Sequence, residues 1–450
     1  MVVKIESIYM KYLNLFNTMS LKNFLCAFLV AFFASAAFGN LPKSRFGENY
    51  DESKVPQFEL PDVLASPDGK IKASSAFEWL QSVRPRVLDY IQSQMYGYMP
   101  PRPKQMRFEL REESGDAFGG IAVRRQIRIH VKDAGGEHFI DLLLYIPKNA
   151  KKPVPVFHGL NFCGNHSVVD DPAVFLPAGW VRNSSYPTLT VKDNKPREEH
   201  RGKMGFRWPV EKLLKSGYAF STAHYGDIYP DKESEDSSAD SIYKIFDKSS
   251  GFSQGPATIA WAWGNSRIID CLQSQPEIDS SRIAVTGQSR LGRTAILTGA
   301  LDERVALTLG NNPGCMGTAI SRRRFGERID LICKRFPFWF SPNLNKYFGK
   351  ENELAVDQHN LVACIAPRLV YVASASEDYW GDPKGELMGL VEAEKVYRLF
   401  GAKNMPSMEN LEVEKPFLGD AMGFHLRKGP HNMMPYDWEN YIKFAQEHGW

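Results

Sequence analysis

In Arg282-Ile283-Ala284-Val285-Thr286-Gly287-Gln288-Ser289-Arg290-Leu291-Gly292-Arg293, an apolar strand runs into Gly-x-Ser-x-x-Gly and then into the opening of a helix. A nucleophile elbow needs this context: a tight strand-to-helix turn with small neighbours, which lifts the Ser hydroxyl above a sheet. The helix N-terminus that follows helps stabilise developing negative charge. The usual pentad places Gly two residues after Ser, and here Gly292 comes one residue late. The alternative is a strand–turn–helix in which Ser289 merely caps the helix.

Working outward, the topology favours the nucleophile. Met106–Leu110, Ile121–Val131 and His138–Ile146 are alternating or β-branched runs separated by Gly- and Asp-containing turns, the pattern of antiparallel strands. Val154–Leu160 is a fourth strand. From there, apolar strands (Tyr218–Ala223, Arg282–Thr286, Ala306–Leu309, Arg368–Ala373) alternate with helical stretches (Ala257–Gln273, Leu291–Ala300, Leu387–Phe400, Tyr436–Gln446). Alternation of that kind implies a parallel sheet with helices on both faces. An antiparallel start feeding a parallel sheet is the α/β-hydrolase pattern, a three-layer αβα sandwich. Ahead of it, Ala76 to about Tyr96 has helical spacing, with Pro85 predicting a kink or a break into two shorter helices. Residues 162–208 and 313–362 are long loops just past predicted strand ends, where open α/β sheets bind ligands.

A Ser hydroxyl needs a base, and the base an orienting acid, in the chain order Ser, acid, His. His431, in the loop between the last strand and the terminal helix, stands where the base belongs. His425 is the rival, but Phe424-His425-Leu426 reads as strand, and His448 sits at the C-terminal end. The acid chosen is Asp378, after the strand Arg368–Ala373. Glu377 and Asp382 are neighbours, and Asp382, before Pro383, suits a turn.

Composition bounds the rest. The 450 residues are 43% apolar, ordinary for a folded chain and too high for a disordered one. A net charge of +3 with no basic stripe argues against a nucleic-acid partner. Lys22, the apolar run Phe24–Phe33 and the small residues 34–37 read as a secretory signal peptide over residues 1–39, with Met19 as a possible true start. The run is shorter than the roughly 20 residues of a spanning helix, so export to the periplasm or beyond is expected, with no stable membrane anchor. Residues 40–105 then form a lead-in with its helix, and residues 106–450 the catalytic domain. Removing Cys26 leaves five cysteines, an odd count that excludes a disulfide scaffold, though one bridge such as Cys315–Cys333 is permitted. No closely spaced His/Cys set suggests zinc.

From about Tyr145 to Trp450 the chain resembles the bacterial glucuronoyl esterases, carbohydrate esterase family 15. The resemblance rests on Gly159-Leu160-Asn161-Phe162-Cys163-Gly164-Asn165-His166, Arg207-Trp208-Pro209-Val210-Glu211-Lys212, Tyr225-Gly226-Asp227 and the Ser289 turn. It continues through Arg323-Arg324-Phe325-Gly326-Glu327, Val356-Asp357-Gln358-His359, Trp380-Gly381-Asp382-Pro383-Lys384-Gly385-Glu386 and Gly429-Pro430-His431. It implies that Ser289 attacks an ester carbonyl, that His431 is base and then acid, and that Arg290 supplies donors to the oxyanion. Arg293, Glu327 and Trp380 match positions that hold the glucuronate ring. Read without the family, Glu327 is a surface partner of Arg322–Arg324 and Trp380 a core residue.

The chain also departs from the family pattern. Where many members carry a catalytic Glu, it reads Asn311-Asn312-Pro313-Gly314, which leaves the acid to Asp378. Arg293 stands in place of the family's Lys, a change of donor geometry. Gln288 replaces a Cys of the fungal motif and Asn432 follows His431, so no disulfide ties Ser to His. The implied activity is hydrolysis of esters between (4-O-methyl-)glucuronic acid on xylan and lignin alcohols, without metal or cofactor. Another exported carbohydrate esterase, such as a polysaccharide deacetylase, is the alternative, and a non-catalytic saccharide-binding relative is the third.

Overall fold

Among the described residues ten strands make one sheet, and six of them run parallel through its middle. In the computed structural model, residues 42–233 and 239–450 are described; the signal-peptide expectation therefore lies outside the described residues. The strands are β1 (Gln105–Asp116), β2 (Ala122–Asp133), β3 (Gly136–Pro147), β4 (Val154–Asn161), β5 (Ala219–His224), β6 (Ile278–Gln288), β7 (Val305–Asn311), β8 (Leu369–Ala375), β9 (Phe417–Leu418) and β10 (Met422–Arg427). Their order across the sheet is β1-β2-β3-β5-β4-β6-β7-β8-β10-β9. The first three pair antiparallel, as does β9 with β10.

Each strand expected from the sequence is present, with differences at the ends that have physical causes. Strand β1 continues past Leu110 to Asp116, beyond the last alternating apolar residue. Cross-strand ion pairs carry it on, Glu112 with Arg124 at 2.7 Å and Glu113 with Arg125 at 2.5 Å. The helix expected from Leu387 begins instead at Pro383, because Asp382 caps it by accepting from the Gly385 N–H at 3.0 Å. The N-terminal helical run divides next to Pro85, as expected. Pro85 occupies the first turn of Arg84–Ile91, and a wider π turn at Trp79–Val83 precedes it, where the missing N–H is no loss.

Helices α1 (Arg84–Ile91), α2 (Ala257–Gln273), α3 (Arg290–Leu301) and α4 (Pro383–Leu399) share one hydrophobic cluster with one face of the sheet. Helix α5 (Pro435–Glu447) and the short helix Val210–Lys215 pack on the other, around Trp438, Tyr441 and Trp208. The result is the expected three layers. Residues 46–450 form one compact unit. No helix among the described residues is long and apolar enough to cross a membrane. The five described cysteines are all free and buried, so the permitted Cys315–Cys333 bridge is not formed.

The long loops leave the carboxyl ends of β4 and β7. The second is largely buried. Arg322 pairs with Asp357 at 3.0 Å and Arg323 with Asp382 at 2.8 Å, both inside the protein. The polar run that reads as a solvated surface is thus a buried ion-pair scaffold beside the strand ends.

Candidate active site

Ser289 occupies the turn between β6 and α3 with φ 61° and ψ −129°. A non-glycine residue in that region costs on the order of 1–3 kcal/mol, and such strain concentrates at functional turns. The turn is tight enough that a Cβ on Gly287 would lie 2.2 Å from Leu291 O, and one on Gly292 2.8 Å from Asn311 O. Gly292 therefore lets α3 rest on the end of β7, one residue later than the usual pattern but with the same effect. The Ser289 N–H donates to Asn311 O at 2.9 Å, fastening the elbow to the neighbouring strand.

Asp378 and His431 follow the ends of β8 and β10, on the same sheet edge as Ser289. His431 Nδ1–H donates to Asp378 Oδ2 at 2.6 Å. The carboxylate also accepts from Asn312 Nδ2 at 3.1 Å and from the Gly381 N–H at 3.1 Å. The imidazole stays 36% exposed while the carboxylate is buried, which leaves Nε2 open to the cleft. Among the described residues, Ser289 Oγ makes no hydrogen bond to His431. The rivals are accounted for. His425 is buried between Tyr371 and Asp437, at 2.9 and 2.7 Å, and His448 bonds to the Phe444 and Asp420 carbonyls. Glu377 is exposed, and Asp382 caps α4 and holds Arg323.

Arg290 lies beside the nucleophile with its guanidinium 4.9 Å from the Trp339 ring centroid. Nη1 donates to Asp231 Oδ2 at 2.8 Å. Asp231 is fully buried and also accepts from Arg182 at 3.0 Å, Trp339 Nε1 at 2.7 Å and Tyr225 Oη at 3.0 Å. Burial pushes the Arg290 pKa down, but the Asp231 charge together with Tyr225 and Tyr186 more than offsets it and holds the guanidinium protonated. Two arginines share one carboxylate, so the spot keeps surplus positive charge next to Ser289.

Glu327 is buried and accepts from Arg293 Nη2 at 2.7 Å. Arg293 is only 3% exposed. The Glu327 N–H donates to Trp380 O at 2.8 Å, which brings Glu327 and the half-buried Trp380 together. Glu327 thus takes Arg293 as its partner rather than the Arg322–Arg324 run. Among the described residues, no group of three or more His, Cys, Asp or Glu is arranged to hold a metal ion.

A family model described as "Glucuronyl esterase, fungi" matches residues 204–401. Carbohydrate esterase MZ0003, from an unknown prokaryotic organism, is 39% identical over 404 residues, 89% of this chain and 92% of that protein. The chain belongs to the glucuronoyl esterases, carbohydrate esterase family 15. A solved CE15 esterase from a marine bacterial metagenome, described as promiscuous, superposes with a TM-score of 0.82 at 39% identity, over 89% of this chain and all of that one. A glucuronoyl esterase from Solibacter usitatus gives 0.80 at 38% identity, again over 89% of this chain and all of that one. The protein is accordingly a carboxylic ester hydrolase with the α/β-hydrolase fold.

Four groups in this esterase's site escape sequence reasoning. Asp231 organises Arg290, yet nothing around Tyr229-Pro230-Asp231 marks it as buried. Glu386 is fully buried near Asp378, accepting from the Gly314 N–H at 2.7 Å and bonded to Ser374 Oγ. Its carboxyl pKa is raised well above the ordinary 4.5, first by burial and then by the Asp378 charge. Arg427 donates to the carbonyls of Lys428, Pro430 and Asn432 at 2.7, 2.8 and 3.0 Å, cinching the His431 loop. Arg207 Nε donates to Asn432 Oδ1 at 2.7 Å. Arg207 and Glu386 both stood in motifs that carry the family resemblance, which was the signal available for them.

Proposed function

We propose that the protein hydrolyses esters between (4-O-methyl-)glucuronic acid side chains of xylan and lignin alcohols through a Ser289–His431–Asp378 triad. Ser289 Oγ bonds to the ester carbonyl carbon as His431 Nε2 takes its proton, a contact that closes when substrate seats. Asp378 holds Nδ1–H, fixing the tautomer and stabilising the imidazolium. The carbonyl oxygen becomes an oxyanion beside Arg290 and the N-terminus of α3, where one lost donor typically costs about 10²–10³-fold in rate. Collapse breaks the bond to the alcohol oxygen, which leaves with the proton held by His431. Water then gives a proton to His431, attacks the glucuronoyl-Ser289 ester and releases glucuronate, and the proton returns to Ser289.

On the acid side, Glu327 accepts sugar hydroxyls and Trp380 offers an indole face. Arg293 acts through Glu327, aiming its carboxylate. The observation that carries the reading is the 2.6 Å His431–Asp378 pair on the sheet edge that bears the strained Ser289 turn. On this reading the apolar run within residues 1–39 is a secretory leader, and the enzyme works in the periplasm or outside the cell.

The test compares benzyl or methyl glucuronate with an acetylated sugar, using residues 40–450 and the Ser289→Ala variant. Turnover of the glucuronate ester that vanishes in the variant is the expected result. Acetate release with the glucuronate ester untouched would make the protein a deacetylase. Saccharide binding with no turnover of either would leave a binding relative.

A further inference from the structure

Glu327 follows β7 and Trp380 follows β8, and their two loops meet where the Glu327 N–H donates to Trp380 O at 2.8 Å. The approach is close: Gly326 has φ 59°, and a Cβ there would run into the Tyr379 and Trp380 carbonyls. One backbone hydrogen bond is a weak seam on its own.

Residues 47–52 cross that seam from the start of the compact unit. The Gly326 N–H donates to Asn49 O at 2.8 Å, and Arg328 Nη1 donates to Gly47 O at 2.6 Å. The Tyr50 ring lies edge-on to Phe325 and to Tyr379, with both centroid distances 6.2 Å. Phe325 stands just before Gly326-Glu327 and Tyr379 just before Trp380, so one ring touches both loops beside the residues they present. Glu52 then pairs with Arg323 at 2.5 Å and with Lys384 at 2.9 Å, again one partner on each side of the seam. The segment also braces itself. Glu48 accepts from the Phe46 N–H at 2.8 Å, and Asn49 Oδ1 accepts from the Asp51 N–H at 2.9 Å.

We propose that residues 47–52 are a strap that holds Glu327 and Trp380 in register, with Tyr50 as its positioning residue. The triad does not depend on it. Asp378, although next to Tyr379, is fixed separately by Asn312, by the Gly381 N–H and by its own N–H on Ala375 O at 3.0 Å. Loosening the strap therefore weakens the grip on the uronate ring and spares the reacting groups. This rests on the glucuronoyl-ester reading, in which Glu327 and Trp380 hold that ring.

The test compares benzyl glucuronate with p-nitrophenyl acetate, which carries no sugar and reads only the triad and the oxyanion donors. Tyr50→Ala raises KM for benzyl glucuronate about 5-fold, with its kcat and the acetate rate within about 2-fold of wild type. Tyr50→Phe, which keeps the ring, stays near wild type. An unchanged KM, or equal losses on both esters, would overturn the strap, because a general loss of structure strikes both alike. Hydrogen exchange gives a readout without chemistry: in Tyr50→Ala the Gly326 and Glu327 amides exchange about 5-fold faster while those of β10 do not change. Exchange that is unaltered at Gly326 and Glu327, or faster everywhere, would count against the strap. A wild type that leaves benzyl glucuronate uncleaved would sink the reaction, and the exchange measurement would still decide the strap.

Discussion

At Asp378 the chemistry depends on which atom carries a proton. The carboxylate takes the His431 Nδ1–H and has Asn312 and Gly381 as further donors, so it stays in place without its imidazole. Asp378→Asn preserves the shape but favours the wrong tautomer, and kcat on a glucuronate ester is expected to fall on the order of 10⁴-fold with circular dichroism unchanged. Glu386 behaves in the opposite way. Its folded-state pKa lies above the ordinary 4.5, so the folded protein holds a proton there that the unfolded chain has released. The associated stability is full below about pH 4.5 and is lost as pH rises toward the folded pKa. Gln mimics the protonated form, accepting from Gly314 and donating to Ser374. Glu386→Gln should therefore match the wild type near pH 4.5 and gain in melting temperature relative to it as pH rises; a gain that shrinks with pH would contradict a protonated Glu386.

Among the elements, the β10–α5 loop is held by arginines. Arg427→Met strips three carbonyls of their donor, and each charged hydrogen bond is worth about 1.5–3 kcal/mol. His431 then loses its position relative to Ser289, so kcat should drop at least 10-fold while KM, which the proposed function assigns to Glu327 and Trp380, changes little. A matching rise in KM would show instead that the substrate pocket itself had moved. This is also the scale at which the sequence was most legible. The period-2 and helical runs gave strands and helices, and the fold's chain order then pointed to His431 and to the segment after β8, where Asp378 was chosen with Glu377 and Asp382 left open. What stayed hidden were carboxylates whose partners are distant in sequence. Asp231 meets Arg290 across 59 residues and Glu386 meets Gly314 across 72, and nothing local distinguishes them from solvated acids. Glu327 and Trp380 were legible only through the family resemblance, and Arg322 and Arg323 read as surface because their burial is purely tertiary.

Across the whole molecule, five histidines, His138, His158, His166, His200 and His359, have pKa values lowered chiefly by burial. His158, between Ser221 and Asn265, is brought down from 6.5 to about 4. The unfolded chain binds protons at these sites before the folded one does, so stability is full above about pH 6.5 and falls as pH drops below it. His158 alone contributes on the order of 3 kcal/mol by pH 4, in the direction opposite to Glu386. The melting temperature should therefore decline steadily from pH 6.5 to pH 4, and His158→Gln should flatten that decline. The thiols carry a different lesson. All five described cysteines are buried and unlinked, with burial pushing Cys163, Cys271, Cys333 and Cys364 up to about 12. Residues 40–450 can accordingly be manufactured in a reducing bacterial cytoplasm without oxidative-folding helpers, and the catalyst can be dosed into sulfite- or thiol-treated biomass without loss.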